Sequence, residues 1–335
     1  MKLCVIEGDG IGHEVVPAAV RVLRRLMPEL EVVSAEAGWD RFEKTGEALP
    51  EDTVARAKEA GAVLFGACSS PSYPVAGYSS PIVSLRKRME TFANLRPTRF
   101  LPVPTARAGV DLVVVRENTE DLYIGDEHTE DAGDTGTATK RITRRATERI
   151  AHTAFRLARN EKRRRVTIVH KGNVLPQTDG LFRRVAYEVA KVYGDIETDE
   201  LLVDTAAYWM VRDPARFDVV LTPNLYGDIL SDMAAAWGGG LGLAPALNIG
   251  AEVAIAEPIH GSAPDIAGQG IANPTAVILS ASMLARHHWN KPEIADRIDA
   301  AVTAALSQGD YTADILGVNG MSTADFADII CEQLG

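Results

Sequence analysis

The sequence predicts an α/β fold built in two lobes. Short apolar runs alternate with segments whose apolar residues recur at helical spacing, the pattern of strands joined by helices. At 335 residues the chain also exceeds the roughly 250–300 at which one hydrophobic core stops growing. Hydrophobic residues make up 46% and charged residues 24%, so no large segment is too poor in apolar side chains to fold.

Leu3 to Ile6 is an apolar run that ends in Gly8-Asp9-Gly10-Ile11-Gly12, and Glu14 to Leu26 carries apolar residues at helical spacing: a strand, a glycine-rich turn and a helix. Ala62 to Phe65, Leu112 to Val115 and Val166 to Val169 read as further strands with helix-period segments between them. Residues 126–139 are rich in Asp, Thr, Gly and Glu and poor in large apolar side chains, which predicts an exposed arm or hairpin. Asp218 to Leu221 is again a strand, followed by a helix from about Gly227. Gly238-Gly239-Gly240-Leu241-Gly242 then marks a lobe crossing, because glycine lets backbones approach closely. Pro274 to Ala285 and Ala324 to Leu334 have helical apolar patterns.

The formal net charge of −11 repels phosphate backbones and anionic headgroups, and the run Lys162-Arg163-Arg164-Arg165 is too short to offset it. Neither a nucleic acid nor a membrane is expected as a partner. Cys4, Cys68 and Cys331 lie far apart with no Cys-x-x-Cys spacing, which suits buried thiols in a reducing compartment. Glu7, Gly8 and Asp9 interrupt the apolar start before a secretory core could form, and no stretch reaches transmembrane length, so a cytoplasmic protein is expected.

Several groups of residues can carry chemistry. The opening Gly-x-Gly-x-Gly follows a strand, but His13 stands where a dinucleotide fingerprint needs its third glycine. Asp228 and Asp232, four apart on a helix, share one face and suit a hard cation that takes oxygen ligands. A bare Asp-x-x-x-Asp is equally a solvated acidic face; the neighbours Leu225, Tyr226, Met233 and Ala234 speak for burial instead. Arg86, Arg96 and Arg116 are guanidinium forks suited to carboxylates, or else surface ion pairs. Lys171 closes the strand Val166 to Val169, a position from which an α/β fold presents side chains to a crevice, though a solvated strand end reads the same way. Tyr123 is an acid or a packing ring. His260-Gly261-Ser262-Ala263-Pro264-Asp265 combines small residues that admit a phosphate with an acid that could hold ribose hydroxyls, or it is a plain surface turn.

Six blocks together resemble the β-decarboxylating dehydrogenases, the isocitrate and isopropylmalate dehydrogenase family. They are Glu7 to Gly12, Asn94-Leu95-Arg96-Pro97, Arg116-Glu117-Asn118-Thr119-Glu120, His170-Lys171-Gly172-Asn173, Asn224 to Asp232 and His260 to Gly268. The resemblance runs from Leu3 past Asn273. It implies a two-lobed isocitrate/isopropylmalate dehydrogenase-like fold that is not Rossmann. A large, NAD-binding domain would take residues 1–98 and 251–335. A small domain, 99–250, would carry the dimer interface, the arm at 126–139 and the metal ligands, with the active site between the lobes.

By the same resemblance, Mg2+ or Mn2+ would be held by Asp228 and Asp232 with Asp204 from a partner subunit, which also lends Lys171 and Asn173. The protein would therefore be a homodimer or tetramer. Arg86, Arg96 and Arg116 would hold the carboxylates of a small tricarboxylate or dicarboxylate substrate. His260, Gly261, Ser262, Ala263, Asp265, Asn173 and Asn273 would hold NAD, with Asp265 favouring it over NADP. Lys171 would be the general base and Tyr123 the acid.

The segment Gly77 to Arg86, with its Ser-Ser-Pro-Ile-Val run, is similar to that of homoisocitrate dehydrogenases of the fungal type. This implies oxidative decarboxylation of homoisocitrate to 2-oxoadipate in lysine biosynthesis, with isocitrate also turning over. Some bacterial homoisocitrate enzymes place an arginine where Val83 stands, so the distal carboxylate must find Ser70, Ser80 or a second-subunit residue, and Ser80 and Val83 become the specificity positions. An isopropylmalate or NAD-dependent isocitrate dehydrogenase is the alternative. A non-catalytic regulatory subunit is the reading from another class, and the presence of every acid, base and metal candidate argues against it.

Overall fold

The computed structural model describes residues 1–73, 75–309, 311–316 and 320–335. Along the chain the strands are β1 (Lys2–Gly8), β2 (Glu31–Ser34), β3 (Ala62–Ala67), β4 (Ala93–Arg99), β5 (Asp111–Glu117), β6 (Glu127–Glu130), β7 (Thr135–Ala138), β8 (Arg165–His170), β9 (Glu197–Leu202), β10 (Val219–Thr222), β11 (Pro245–Ile249) and β12 (Ala254–Pro258). The helices are α1 (Gly12–Leu26), α2 (Trp39–Thr45), α3 (Glu51–Ala60), α4 (Pro81–Arg88), α5 (Arg144–Asn160), α6 (Asp179–Ala190), α7 (Val203–Arg212), α8 (Asn224–Ala235), α9 (Thr275–His287), α10 (Pro292–Ser307), α11 (Ala313–Leu316) and α12 (Thr323–Gln333). They fall into two compact units, one of Met1–Thr91, Phe100–Ala108 and Gly238–Gly335, the other of Phe92–Arg99 and Gly109–Trp237.

In the first unit the strand order is β2-β1-β3-β12-β11, parallel except for β11, which runs antiparallel to β12. Side chains alternate between faces along each strand. Cys4, Ile6, Val63, Phe65 and Ile255 meet Val54 and Ala57 of α3 and Ile82 and Leu85 of α4. The opposite parity meets α1 and α9, on which α10 and α12 are stacked. Covering both faces is what near-continuous apolar strands such as β3, buried at every residue, require.

In the second unit the order is β4-β5-β10-β8-β9, with β4 antiparallel to β5 and the rest parallel. Leu112, Val114, Val169 and Val220 pack against Ala206 and Met210 of α7 and Leu230 and Ala234 of α8. Helices α5 and α6 pair with each other and contact β5, β8 and β10. Residues 127–138 form an exposed two-stranded hairpin, β6 on β7, where the sequence lacks apolar side chains for any core.

The unit boundaries differ from the expected 98/99 and 250/251. Residues 92–98 join the second unit because β4 pairs with β5 along its whole length, from Ala93↔Glu117 to Arg99↔Asp111. Residues 238–250 join the first because β11 pairs with β12. Helix α8 starts at Asn224 rather than near Gly227, whose N–H already donates to Pro223 O. Among the described residues no helix is long and apolar enough to cross a membrane.

Candidate active site

Period-two alternation decides where Arg116 points. It continues the β5 face that carries Leu112 and Val114, the face packed under α8. Across the ladder Asn94 opposes Arg116 and Arg96 opposes Val114, so Asn94 and Arg96 share that face. All three therefore look toward α8, which presents Asp228 and Asp232 one turn apart. Arg116 is nearly solvent-free and donates through Nη1 to Asp228 and through Nε and Nη2 to Asn224 Oδ1 at 2.9 and 2.6 Å. Arg96 donates to Asn94 Oδ1 at 2.7 Å, Ser231 Oγ at 2.8 Å and Asp232 Oδ1 at 3.1 Å, with Asp228 Oδ1 3.3 Å away. Tyr123 donates its hydroxyl to Asp228 Oδ2 at 2.5 Å and lies under the Arg116 guanidinium.

The electrostatics follow from this crowding. Burial, then the neighbouring Asp228 carboxylate, hold the Tyr123 phenol above its ordinary range, so it stays protonated. Asp232 is likewise pushed up, by burial first, with Arg96 opposing and the Asp228 charge adding to the rise. Two carboxylates on one helical face offer only hard oxygen donors. That donor set fits magnesium or manganese.

Lys171 sits just beyond β8. Its Nζ donates to Asp204 Oδ1 at 2.5 Å, and this contact holds the Asp204 carboxylate below its ordinary range. Asp204 opens α7 and is exposed, as is Asn173. Among the described residues no group of three His, Cys, Asp or Glu gathers within one chain, so the structure unites Asp228 with Asp232 but not with Asp204.

The other expected residues lie in the first unit. Arg86, in the last turn of α4, pairs with the buried Glu257, which also accepts from Asn248 Nδ2 at 2.5 Å. Ser80 precedes α4 with Cys68 Sγ 4.0 Å from its hydroxyl, and Ser70 is exposed. Ile82 is buried in the core, whereas Val83 packs only against its edge. His260 Nδ1 donates to Gly261 O at 2.9 Å; burial lowers the imidazole's pKa and leaves Nε2 a buried acceptor with no partner. An adenine amino group is the kind of donor that such an acceptor fits. Ser262 O accepts from Ile11 N at 2.9 Å, and Ser262 Oγ accepts from Ser69 Oγ at 2.8 Å. A Cβ on Gly10 would stand 2.2 Å from Ser262 O, so the opening glycine turn exists to seat this loop. Ala263 is held in the left-handed region (φ +41°), and Asp265 is exposed. Asn273 is buried, its amide on Asp314 and its oxygen on Thr275 N, so it shapes the end of the loop.

Sequence reasoning passed over several residues. Asp9 is buried and accepts the amides of Trp39, Asp40 and Ser69, fixing the turn before Ser70; an acid directly after an apolar strand was the available signal. Glu257 and the buried set Asp121, Lys140 and Asp179 had no such local mark.

Comparison with known proteins agrees along the whole chain. Residues 2–330 match the family described as isocitrate/isopropylmalate dehydrogenase. An isocitrate/homoisocitrate dehydrogenase of Thermus thermophilus is 49% identical over 99% of this chain and 98% of its own. A 3-isopropylmalate dehydrogenase of Archaeoglobus fulgidus is 46% identical over 99% of both chains. The crystal structure of isocitrate dehydrogenase from Methylococcus capsulatus superposes with a TM-score of 0.95, at 41% identity, over 99% of both chains. With the family pattern matched from end to end and the α/β architecture shared, the chain belongs to the isocitrate/isopropylmalate dehydrogenase family of oxidatively decarboxylating enzymes.

Proposed function

We propose that the protein oxidises and decarboxylates homoisocitrate to 2-oxoadipate and carbon dioxide with NAD and magnesium or manganese, and turns over isocitrate more slowly. The observation that carries this reading is the convergence of Arg96, Arg116 and Tyr123 on an aspartate pair one helical turn apart. Two guanidinium groups and two carboxylates balance one another. A divalent cation on the aspartates and two of the substrate's carboxylates on the guanidinium groups would enter as a second balanced pair, with the distal carboxylate left for Arg86 or Ser80. Family members generally use NAD or NADP with such a cation.

When bound, the cation supplies Lewis-acid polarisation of the substrate's oxygens and NAD supplies the hydride acceptor. Lys171, once it has given up its own proton to solvent and stands as the neutral amine, takes the proton of the substrate hydroxyl as the hydroxyl-bearing carbon is oxidised. Arg96 and Arg116, with Arg86, hold the carboxylates in bidentate fashion. Tyr123, kept protonated by its burial, delivers its phenolic proton to the enol carbon left after carbon dioxide departs. Asp204, exposed beside Lys171, suits donation together with Lys171 and Asn173 to the Asp228–Asp232 pair of a second protomer, which makes a homodimer the smallest active assembly. His260 to Asp265, with Asn273, would seat the adenosine of NAD.

A second reading, 3-isopropylmalate, is favoured by Val83, an apolar side chain left partly open at the start of α4, and by the relative of that name. Initial rates of NAD reduction on homoisocitrate, isocitrate and isopropylmalate at matched magnesium decide between them. Homoisocitrate should lead, and chelation should abolish turnover. A preference for isopropylmalate above tenfold would sink the leading assignment.

A further inference from the structure

Lys140 leaves the exposed hairpin, whose base is closed by Thr139 N on Asp126 O at 2.9 Å, and turns its ammonium inward. There it meets two carboxylates that are fully buried. Asp179 Oδ1 lies 2.6 Å from Nζ and Asp121 Oδ1 lies 3.4 Å from it, while the Lys140 side chain is itself only 13% exposed. The Tyr226 ring closes the site, with its centroid 4.4 Å and its hydroxyl 3.3 Å from Nζ.

The second oxygen of each carboxylate is spent on the backbone of another segment. Asp179 Oδ2 accepts from Lys171 N at 2.7 Å. Asp121 Oδ2 accepts from Leu225 N at 2.8 Å, in the first turn of α8. Asp121 itself is held at φ +69°, a conformation unfavourable for a residue with a side chain, two positions before Tyr123. One ammonium therefore faces the carboxylates that fix the Lys171 turn, the Tyr123 turn and the helix carrying Asp228 and Asp232. Both carboxylates converge on this one ammonium, so the position of Lys140 dictates theirs.

We propose that Lys140 is a positioning residue that holds in place both Lys171, which serves the partner's site, and Tyr123 with the aspartate pair of its own site, without touching substrate. The proposal rests on the roles given to those residues under the proposed function. Its mark is a loss of kcat at nearly constant KM, since Arg96 is also held by Asn94 of its own strand and Arg86 by Glu257 of the first unit, neither of which the Lys140 cluster touches.

The test uses full-length Lys140→Met, Lys140→Arg and the charge-free triple variant Lys140→Met/Asp121→Asn/Asp179→Asn, whose asparagine oxygens can still accept both amides. Each is assayed with homoisocitrate, NAD and magnesium beside a thermal melt. Lys140→Met and the triple variant should lose ten- to a hundredfold in kcat with KM within threefold of wild type, and Lys140→Arg should recover most of the loss. The triple variant should melt cooperatively, which separates positioning from stability. A folded Lys140→Met or triple variant with kcat within twofold of wild type overturns the proposal. A triple variant that does not fold also overturns it, since the cluster would then be structural alone. Lys171→Met is the independent control: if it keeps turnover, the assignment of the base fails, whatever Lys140 does.

Discussion

Gly227 decides whether Arg116 can reach Asp228. A Cβ at that position would stand 2.6 Å from Arg116 Cγ and 2.7 Å from its Cβ, atoms near the backbone that cannot swing aside. Gly227→Ala should therefore cost about 1–3 kcal/mol, the usual penalty of overpacking, read as a lower denaturant midpoint. It should also raise KM for the substrate, because the guanidinium is displaced. Tyr123→Phe removes the phenolic proton while keeping the ring under Arg116; kcat should fall by about a hundredfold or more, with the melting temperature nearly unchanged. A loss under threefold would remove Tyr123 from the acid role. Asp228 and Asp232 were legible in the sequence because a spacing of four on a helix puts them on one face; Arg96 and Arg116 were legible as guanidinium groups within recognisable motifs, not from the face of a strand. Asp9, Glu257 and Lys140 were not, since their partners lie between 30 and 171 residues away in some cases and the contact, not the local pattern, gives them meaning.

Among the elements, those with clean periodicity were read nearly as they stand. Leu3 to Ile6 became Lys2–Gly8, Ala62 to Phe65 became Ala62–Ala67, and the exposed arm became the β6–β7 hairpin. The strands that escaped notice share a physical reason. β4 contains Pro97, which has no N–H for a ladder, and it shows polar Asn94, Arg96 and Thr98 on the face where a core strand would be apolar. β9 reads Glu-Thr-Asp-Glu-Leu-Leu and forms the far edge of its unit, where partial exposure tolerates charge. β11 and β12 are five residues each and pair antiparallel across a short turn, a segment for which no strand was read.

At the scale of the whole molecule, acid should act through buried imidazoles. His170, His260 and His288 are all lowered from 6.5, with burial the largest cause in each. A base depressed on folding binds its proton more tightly when unfolded. Its stabilisation is therefore complete above about pH 6.5 and is lost as pH falls through the folded value. His170 is the most telling, because its Nδ1 accepts from Gly172 N at 3.0 Å and protonation would break that bond beside Lys171. Melting temperature should drop between pH 7.5 and 5.5, and His170→Gln should flatten that slope; an unchanged slope would exonerate this histidine.

The seating of Gly10 against Ser262 has a consequence for how the chain comes off the ribosome. Everything the second unit needs has been synthesised once Trp237 is added, while β3 waits without its neighbour until β12 is translated. The amino-terminal strands thus spend most of synthesis as an unfinished, apolar half-sheet, and the middle of the polypeptide is the part that can fold first.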